Sequence, residues 1–352
     1  MRKFLVQLAI LSSFVLLTCF LLSQVTFSDE FIVHKTKDTA YKKIGWNLNL
    51  IKNHQERIKG STIFLGSSLV QGALNDSLMQ NNGMNVINMG VPHNGNEIGV
   101  YFINRLMELK PKEVVLLKGK TPFQGLHKMT PLLYTSTGLF RSGQGFTVDY
   151  ISFVFKKAKL CLEYFFFQIF PDKKNSDKAY EAFLYRQYGV LYAHDTIPQQ
   201  VYDEAISRRT GSKSDEYYNL YLNDYLYRSE SGNPSFMNKL KVLKRKFVLN
   251  VWMQSDLLKN TKSQERFVDT AIQLCEQEGI KISKLYVPKL VDVNQYEGYT
   301  REFYKKVQSD SVGVYDMDTY QFLKSRNHWA DFDHVDQSGA DLFTKKLLEE
   351  FK

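Results

Sequence analysis

The stretch Ser61-Thr62-Ile63-Phe64-Leu65-Gly66-Ser67-Ser68-Leu69 decides how the rest of the chain is read. A short apolar run that ends at a glycine fits a buried strand, and a serine just after it fits a helix N-cap. Strand, tight turn and helix in that order begin a parallel sheet with crossover helices. The same rhythm recurs in Asn85-Val86-Ile87-Asn88, which stops at Met89-Gly90, and in Glu113-Val114-Val115-Leu116-Leu117, which stops near Gly119. Between these two runs Ile98, Tyr101, Phe102, Leu106 and Leu109 fall at helical spacing, and Pro111 closes that helix.

The pattern resumes late in the chain. Residues 263–278 read as an amphipathic helix with Phe267, Ala271, Leu274 and Cys275 on one side and Gly279 as its stop. Residues 280–287 and 312–317 read as a fourth and a fifth strand, with a helix at 299–307 between them and a closing helix over 338–351. The sheet is therefore split by residues 123–260, too long a stretch for a structureless loop, which predicts a mostly helical insertion. That insertion is rich in aromatics: Phe153, Phe155, Tyr164, Phe165, Phe166, Phe167 and Phe170 lie around Lys156, Lys157 and Lys159, and 217–227 holds five tyrosines. Residues 151–170 fit a buried amphipathic helix of the insertion, or a helix docked on a membrane surface or a membrane partner. The tyrosines fit subdomain core or a surface that stacks on sugar rings.

Ahead of the sheet, Phe4 to Ser28 carries no charge, and 25 residues of helix reach about 37 Å against a hydrocarbon layer of ~30 Å. A cleaved signal peptide has a shorter apolar region and a small-x-small site, which is missing near 22–28, so an uncleaved single-span anchor over 1–28 is expected. Cys19 sits inside the apolar run and reads as membrane-buried, with a lipid-anchored cysteine as the weaker reading. Arg2 and Lys3 place the N-terminus in the cytoplasm and the remaining domain outside it. The expected division is thus 1–28 anchor, 29–122 first half of the sheet domain with its lead-in, 123–260 insertion, and 261–352 second half.

The chain has 352 residues and a net charge of +9, and without Arg2 and Lys3 the balance is +7, which suits an anionic envelope surface. No motif of a nucleic-acid fold accompanies that charge, so nucleic acid is not an expected partner. Three cysteines exclude a disulfide scaffold and a four-cysteine zinc site. Cys161 and Cys275 can pair in an oxidising compartment or stay as buried thiols. No cluster has metal-ligand spacing, and neither a metal nor another cofactor is expected.

The residues suited to chemistry are Ser67-Ser68, at the end of the first strand, and Asp331-Phe332-Asp333-His334, just before the last helix. Ligands of an open parallel sheet bind outside the carboxyl ends of the strands, where Ser68 would sit. A serine hydroxyl needs a histidine to take its proton, and the histidine needs a carboxylate to fix its tautomer. Asp331 and His334, three apart on one turn, can approach Ser68 together. The competing reading makes Gly66-Ser67-Ser68 a plain helix cap and Asp331 with His334 a surface cap of the last helix; Asp333 and Asp336 are expected to be exposed and not catalytic. His328 and His93 are rival bases.

Gly66-Ser67-Ser68-Leu69, Gly90 in Asn88-Met89-Gly90 and Asp331-x-x-His334 followed by Gly339 together resemble the SGNH (GDSL-like) hydrolase and acyltransferase superfamily. The resemblance implies a three-layer α/β/α, flavodoxin-like domain, with Ser68 as nucleophile, His334 as base, Asp331 as orienting carboxylate, and the N–H groups of Ser68 and Gly90 as oxyanion donors. Ser67 departs from the usual Asp of the first block. The third block, Gly-x-Asn-Asp, is missing: the third strand leads instead to Gly119-Lys120-Thr121-Pro122. Its asparagine is normally an oxyanion donor worth about 3–4 kcal/mol, so Asn94 and Asn96 are candidates to replace it. The anchor, the Gly-Ser-Ser block and the large insertion further resemble membrane-tethered proteins of polysaccharide O-acetylation or teichoic-acid D-alanylation. That likeness implies an acyl donor or cell-envelope glycan as substrate and a multispanning membrane acyltransferase as partner. The competing reading is a non-catalytic, membrane-tethered binding or assembly protein.

Overall fold

The computed structural model describes residues 2–93, 95–117, 125–170, 197–200, 261–290, 293, 322–331 and 333–350. The expected strand at 312–317, the helix at 299–307, the tyrosine-rich stretch 217–227 and most of the insertion beyond 170 lie outside them. In chain order come α1 (Arg2–Leu22), α2 (Asp29–Thr36), α3 (Lys42–Asn53), α4 (Gln55–Ile58), β1 (Thr62–Leu65), α5 (Ser68–Ala73), α6 (Asp76–Asn81) and β2 (Val86–Asn88). They are followed by α7 (Asn96–Leu106), β3 (Glu113–Leu117), α8 (Thr130–Leu133), α9 (Ser136–Arg141), α10 (Val148–Ile169), α11 (Thr261–Gln277), β4 (Lys281–Leu285) and α12 (Gln337–Glu350).

The four strands form one parallel sheet in the order β2-β1-β3-β4. Every residue of β1 is buried, as a central parallel strand requires, and its side chains divide by parity. Ile63 and Leu65 join Ile87, Val114 and Leu116 in a cluster with α3, α7, α10 and α11. Phe64 joins Val86, Val115 and Leu285 in a second cluster with α5, α6 and α12. Because successive strand side chains point to opposite faces, the sheet is apolar on both and covered by helices on both. All four strands run in one direction, so their carboxyl ends lie together, with the turn after β1 in the middle.

Helix α1 is long and apolar enough over Lys3–Leu22 to cross a membrane, and its side chains are exposed except near its end, where Cys19 and Leu22 are partly buried against the core. It is shorter than the uncharged run suggested. Ser23 is fully buried, its hydroxyl donating to the carbonyl of Phe20 at 2.6 Å and lying 2.8 Å from Ser136 Oγ, which ties the helix end into the globular body. Phe27 is buried and Ser28 caps α2, so 23–28 belong to the packed domain and not to the span. Cys161 and Cys275 are free thiols; Cys161 Sγ lies 2.9 Å from the carbonyl oxygen of Leu22.

Candidate functional site

Gly66 ends β1, and Ser67 with φ −86° and ψ −169° is the extended cap of α5, its Oγ accepting the N–H of Leu69 at 3.3 Å. Ser67 therefore satisfies the helix start, and Ser68, the first helical residue, keeps its hydroxyl for another partner. The Ser68 N–H lies in the first turn of α5, where no carbonyl four residues earlier in the helix exists to accept it.

The partner comes from the loop before α12. Trp329 and Val335 form an antiparallel bridge, and the N–H of Ala330 donates to the His334 carbonyl at 2.9 Å, which closes a tight hairpin. At its tip Asp331 Oδ1 accepts the N–H of Asp333 at 2.8 Å and of His334 at 2.9 Å, fixing the carboxylate against its own turn. Asp336 caps α12 through Gly339 N–H at 2.9 Å. A Cβ on Gly339 would fall 2.3 Å from the His328 carbonyl oxygen, so only glycine lets α12 start so close to the loop. The helix then packs on α5, and Thr344 and Asp341 bind the N–H and side-chain amide of Asn75 at 2.9 and 2.8 Å. These contacts carry the hairpin to the end of β1.

His334 Nε2 lies 2.8 Å from Ser68 Oγ, and His334 Nδ1 lies 2.9 and 3.0 Å from the two oxygens of Asp331. An ionised carboxylate only accepts, so Nδ1 carries the proton and Nε2 offers its lone pair to the serine hydroxyl. Burial raises the Asp331 pKa, but the hydrogen bond and charge of His334 outweigh it, so Asp331 stays below the usual carboxylate range. The three residues chosen from the sequence thus meet in one chain of hydrogen bonds, with His334 in the tautomer that activation of a serine hydroxyl would need.

The remaining expectations fare unevenly. Gly90 sits against α5, where a Cβ would come within 2.8 Å of the Gln71 nitrogen, but its N–H donates to Asn88 Oδ1 at 3.0 Å. An oxyanion role for that N–H requires sharing or opening this bond. Asn88, which the sequence offered only as a strand end, also donates to the carbonyls of Val70 and Leu74, each at 3.1 Å, and ties α5 to β2. Asn94 and residues 118–124 lie outside the described residues. Asn96 is turned to α11, its N–H and side chain both meeting Gln264. His328 Nδ1 is 2.8 Å from Ser338 Oγ and so supports the start of α12, whereas the histidine that meets Ser68 is His334. Asp336 is buried and not exposed, because the α12 cap needs it; Asp333 pairs with Lys289 at 2.8 Å.

His93 stands beside the cluster in a left-handed backbone conformation, φ 66°, rare for a non-glycine residue. Burial lowers its pKa, with the charges of Lys128 and His334 adding to the effect, and its ring packs edgewise on Tyr41. Behind it lies a second polar cluster. The buried carboxylate of Glu97 accepts the N–H of His127 at 2.6 Å, the hydroxyl of Thr130 at 2.9 Å and the amide of Gln264 at 3.2 Å. Burial raises the Glu97 pKa against those hydrogen bonds. His127 Nε2 donates to the Pro92 carbonyl at 2.7 Å, and Nδ1 accepts the N–H of Met129 at 3.1 Å. Burial holds the His127 pKa down to about 4, so this imidazole is neutral and both nitrogens are taken. The cluster clamps the loop that follows β2.

Between the carboxyl ends of the strands and helices α7 and α11 lies a cavity of about 30 Å3 lined by Gly66, Met89, Gly95, Gly99, Phe102 and Ala271, among others. Gly66 is two residues from Ser68, so their Cα atoms are at most ~7 Å apart. Searches of this chain against protein-family models, curated proteins and solved structures find no match.

Proposed function

We propose that the chain is a membrane-anchored serine acyltransferase or esterase of SGNH type, acting on acyl groups of a cell-envelope glycan on the outer side of the membrane. The observation that carries this reading is the unbroken run from Asp331 through His334 to Ser68, every link between 2.8 and 3.0 Å. The motif order and the helices on both faces of a parallel sheet support a three-layer α/β/α domain of that superfamily. Ser68 Oγ attacks the acyl carbonyl and its proton passes to His334 Nε2. The Ser68 N–H stabilises the oxyanion, Asp331 the imidazolium. His334 returns the proton to the departing oxygen or sulfur, leaving an acyl group on Ser68. Water or a sugar hydroxyl then gives its proton to Nε2, attacks the acyl-enzyme and restores the serine. A multispanning membrane acyltransferase is the partner that would supply the donor.

A second reading, a tethered binding or assembly protein with the same fold and no turnover, is favoured by one observation: the Gly90 N–H is bonded to Asn88. The two separate in the native host. Under the first, cells carrying Ser68→Ala lose the acyl esters of the surface glycan while making normal amounts of the protein. Acylation equal to wild type contradicts it.

A further inference from the structure

Helix α10 carries three kinds of residue on three sectors. Tyr150, Phe153, Val154, Lys157, Ala158 and Cys161 are buried. Asp149, Lys156, Lys159 and Glu163 occupy a second sector. Ile151, Phe155, Leu162, Phe165, Phe166 and Ile169 are exposed and, at 100° per residue, fall within about 100° of the circumference, overlapping the edge of the buried sector at Phe165. Ordinary amphipathic helices divide into two faces, one on the core and one in water. Here a third, apolar stripe is covered by nothing among the described residues, and it is most exposed towards the helix end, 67% at Phe166 and 66% at Ile169 against 51% at Val148 and 39% at Ile151.

The exposed end is the end beside α1. Cys161 Sγ reaches the Leu22 carbonyl oxygen, Tyr164 packs on Phe27 with ring centroids 5.0 Å apart, and of α1 only Cys19 and Leu22, near its end, are partly buried against the core among the described residues. Leu162, Phe165, Phe166 and Ile169 therefore lie within about 12 Å along the helix of Cys161, the residue that meets the end of α1. We propose that α10 lies in the membrane interface, its stripe from Ile151 to Ile169 dipping into the acyl chains of the bilayer that α1 spans while Lys156 and Lys159 meet anionic headgroups. This rests on α1 crossing the bilayer and not on the chemistry of Ser68. An amphipathic helix of this kind sinks roughly 5–10 Å past the headgroup boundary. With α1 as one attachment and α10 as a second, the domain is held at a fixed orientation to the membrane, where a single-span tether alone would let it swing.

The test uses the full chain in vesicles of phosphatidylcholine and phosphatidylglycerol whose acyl chains carry bromine, a short-range quencher. Phe166→Trp and Ile169→Trp each add one fluorophore to the native tryptophans, and Lys159→Trp adds one on the charged sector. The added emission at 166 and 169, taken as the difference from wild type, should fall by about half or more in brominated against ordinary vesicles and resist aqueous iodide, with the order reversed at 159. Quenching of 166 and 169 by iodide and not by bromine overturns the proposal. Protection from both quenchers also overturns it, since the stripe would then be covered by protein, in these vesicles a second copy of the chain.

Discussion

Two clusters in this protein each combine a histidine, a carboxylate and a hydroxyl, and they differ in what is left over. In the first, Asp331 takes His334 Nδ1 and leaves Nε2 facing Ser68 Oγ at 2.8 Å. In the second, Glu97 spends its oxygens on the His127 N–H, Thr130 and Gln264, while both ring nitrogens of His127 are bonded to backbone. The first ends on a hydroxyl that can leave its partner for a substrate; the second closes on itself. The carboxylates differ accordingly. Glu97 is fully buried and pushed up in pKa, while Asp331 is held low by its histidine. A histidine near a carboxylate is thus a catalytic candidate only if one ring nitrogen remains uncommitted to the fold.

The comparison breaks most sharply at Ser68. Ser68→Ala should lower turnover of an activated acetyl ester by about 10^4-fold or more, measured by steady-state hydrolysis, with the melting temperature unchanged. Asp331→Asn should come next, at roughly 10^2- to 10^4-fold in kcat, because an amide no longer holds the Nδ1–H tautomer. Neither His127→Gln nor Thr130→Val should lower kcat by more than a small factor, and a large loss from either would erase the distinction between the clusters.

Glu97→Ala should act on stability, by about 2–5 kcal/mol in denaturant unfolding, since it strands several buried donors at once. The two carboxylates also predict opposite pH signatures. A carboxyl whose folded pKa is raised contributes stability at low pH and loses it as pH rises from the ordinary Glu range towards the folded value, so Glu97→Gln should flatten a decline on that side. A carboxyl whose folded pKa is lowered contributes stability above the ordinary Asp range and loses it as pH falls through the folded value, so Asp331→Asn should flatten the acid-side loss. Unfolding free energies across pH 2–7 check both signs. The smallest effect concerns the cavity. At Gly99 an added Cβ meets nothing nearer than Leu116 at 3.9 Å, so Gly99→Ala should raise stability by about 1 kcal/mol through helix propensity.

Much of the sheet was legible in the sequence because its signals are local. The strand at 62–65, its glycine and the capping serine are contiguous, and Asp331 and His334 sit on one turn, so only the placement of that turn beside Ser68 needed the fold. What stayed hidden depends on residues far apart. Glu97 meets His127 and Gln264 across 30 and 167 positions, and nothing in a lone Glu announces such a carboxylate. The end of α1 was hidden for another reason: 23–28 are uncharged like the helix before them, and only Ser23 and Ser28, which bond to Ser136 and cap α2, mark the change. The loss of the Gly90 N–H to Asn88 arises from a side chain two residues away, and the spacing of glycines does not reveal it. The aromatic stretch at 151–170 was readable as amphipathic, but its division into three sectors depends on knowing which face the core takes.

The central claim, that Ser68 is a nucleophile activated by His334, is tested most directly by intact-mass measurement of the full chain after incubation with a serine-directed fluorophosphonate. The account predicts one phosphonyl adduct, on the peptide that carries Ser68, formed by wild type and missing from Ser68→Ala, with labelling of His334→Ala slowed by orders of magnitude. An unlabelled wild type, or equal labelling of wild type and Ser68→Ala, would contradict it.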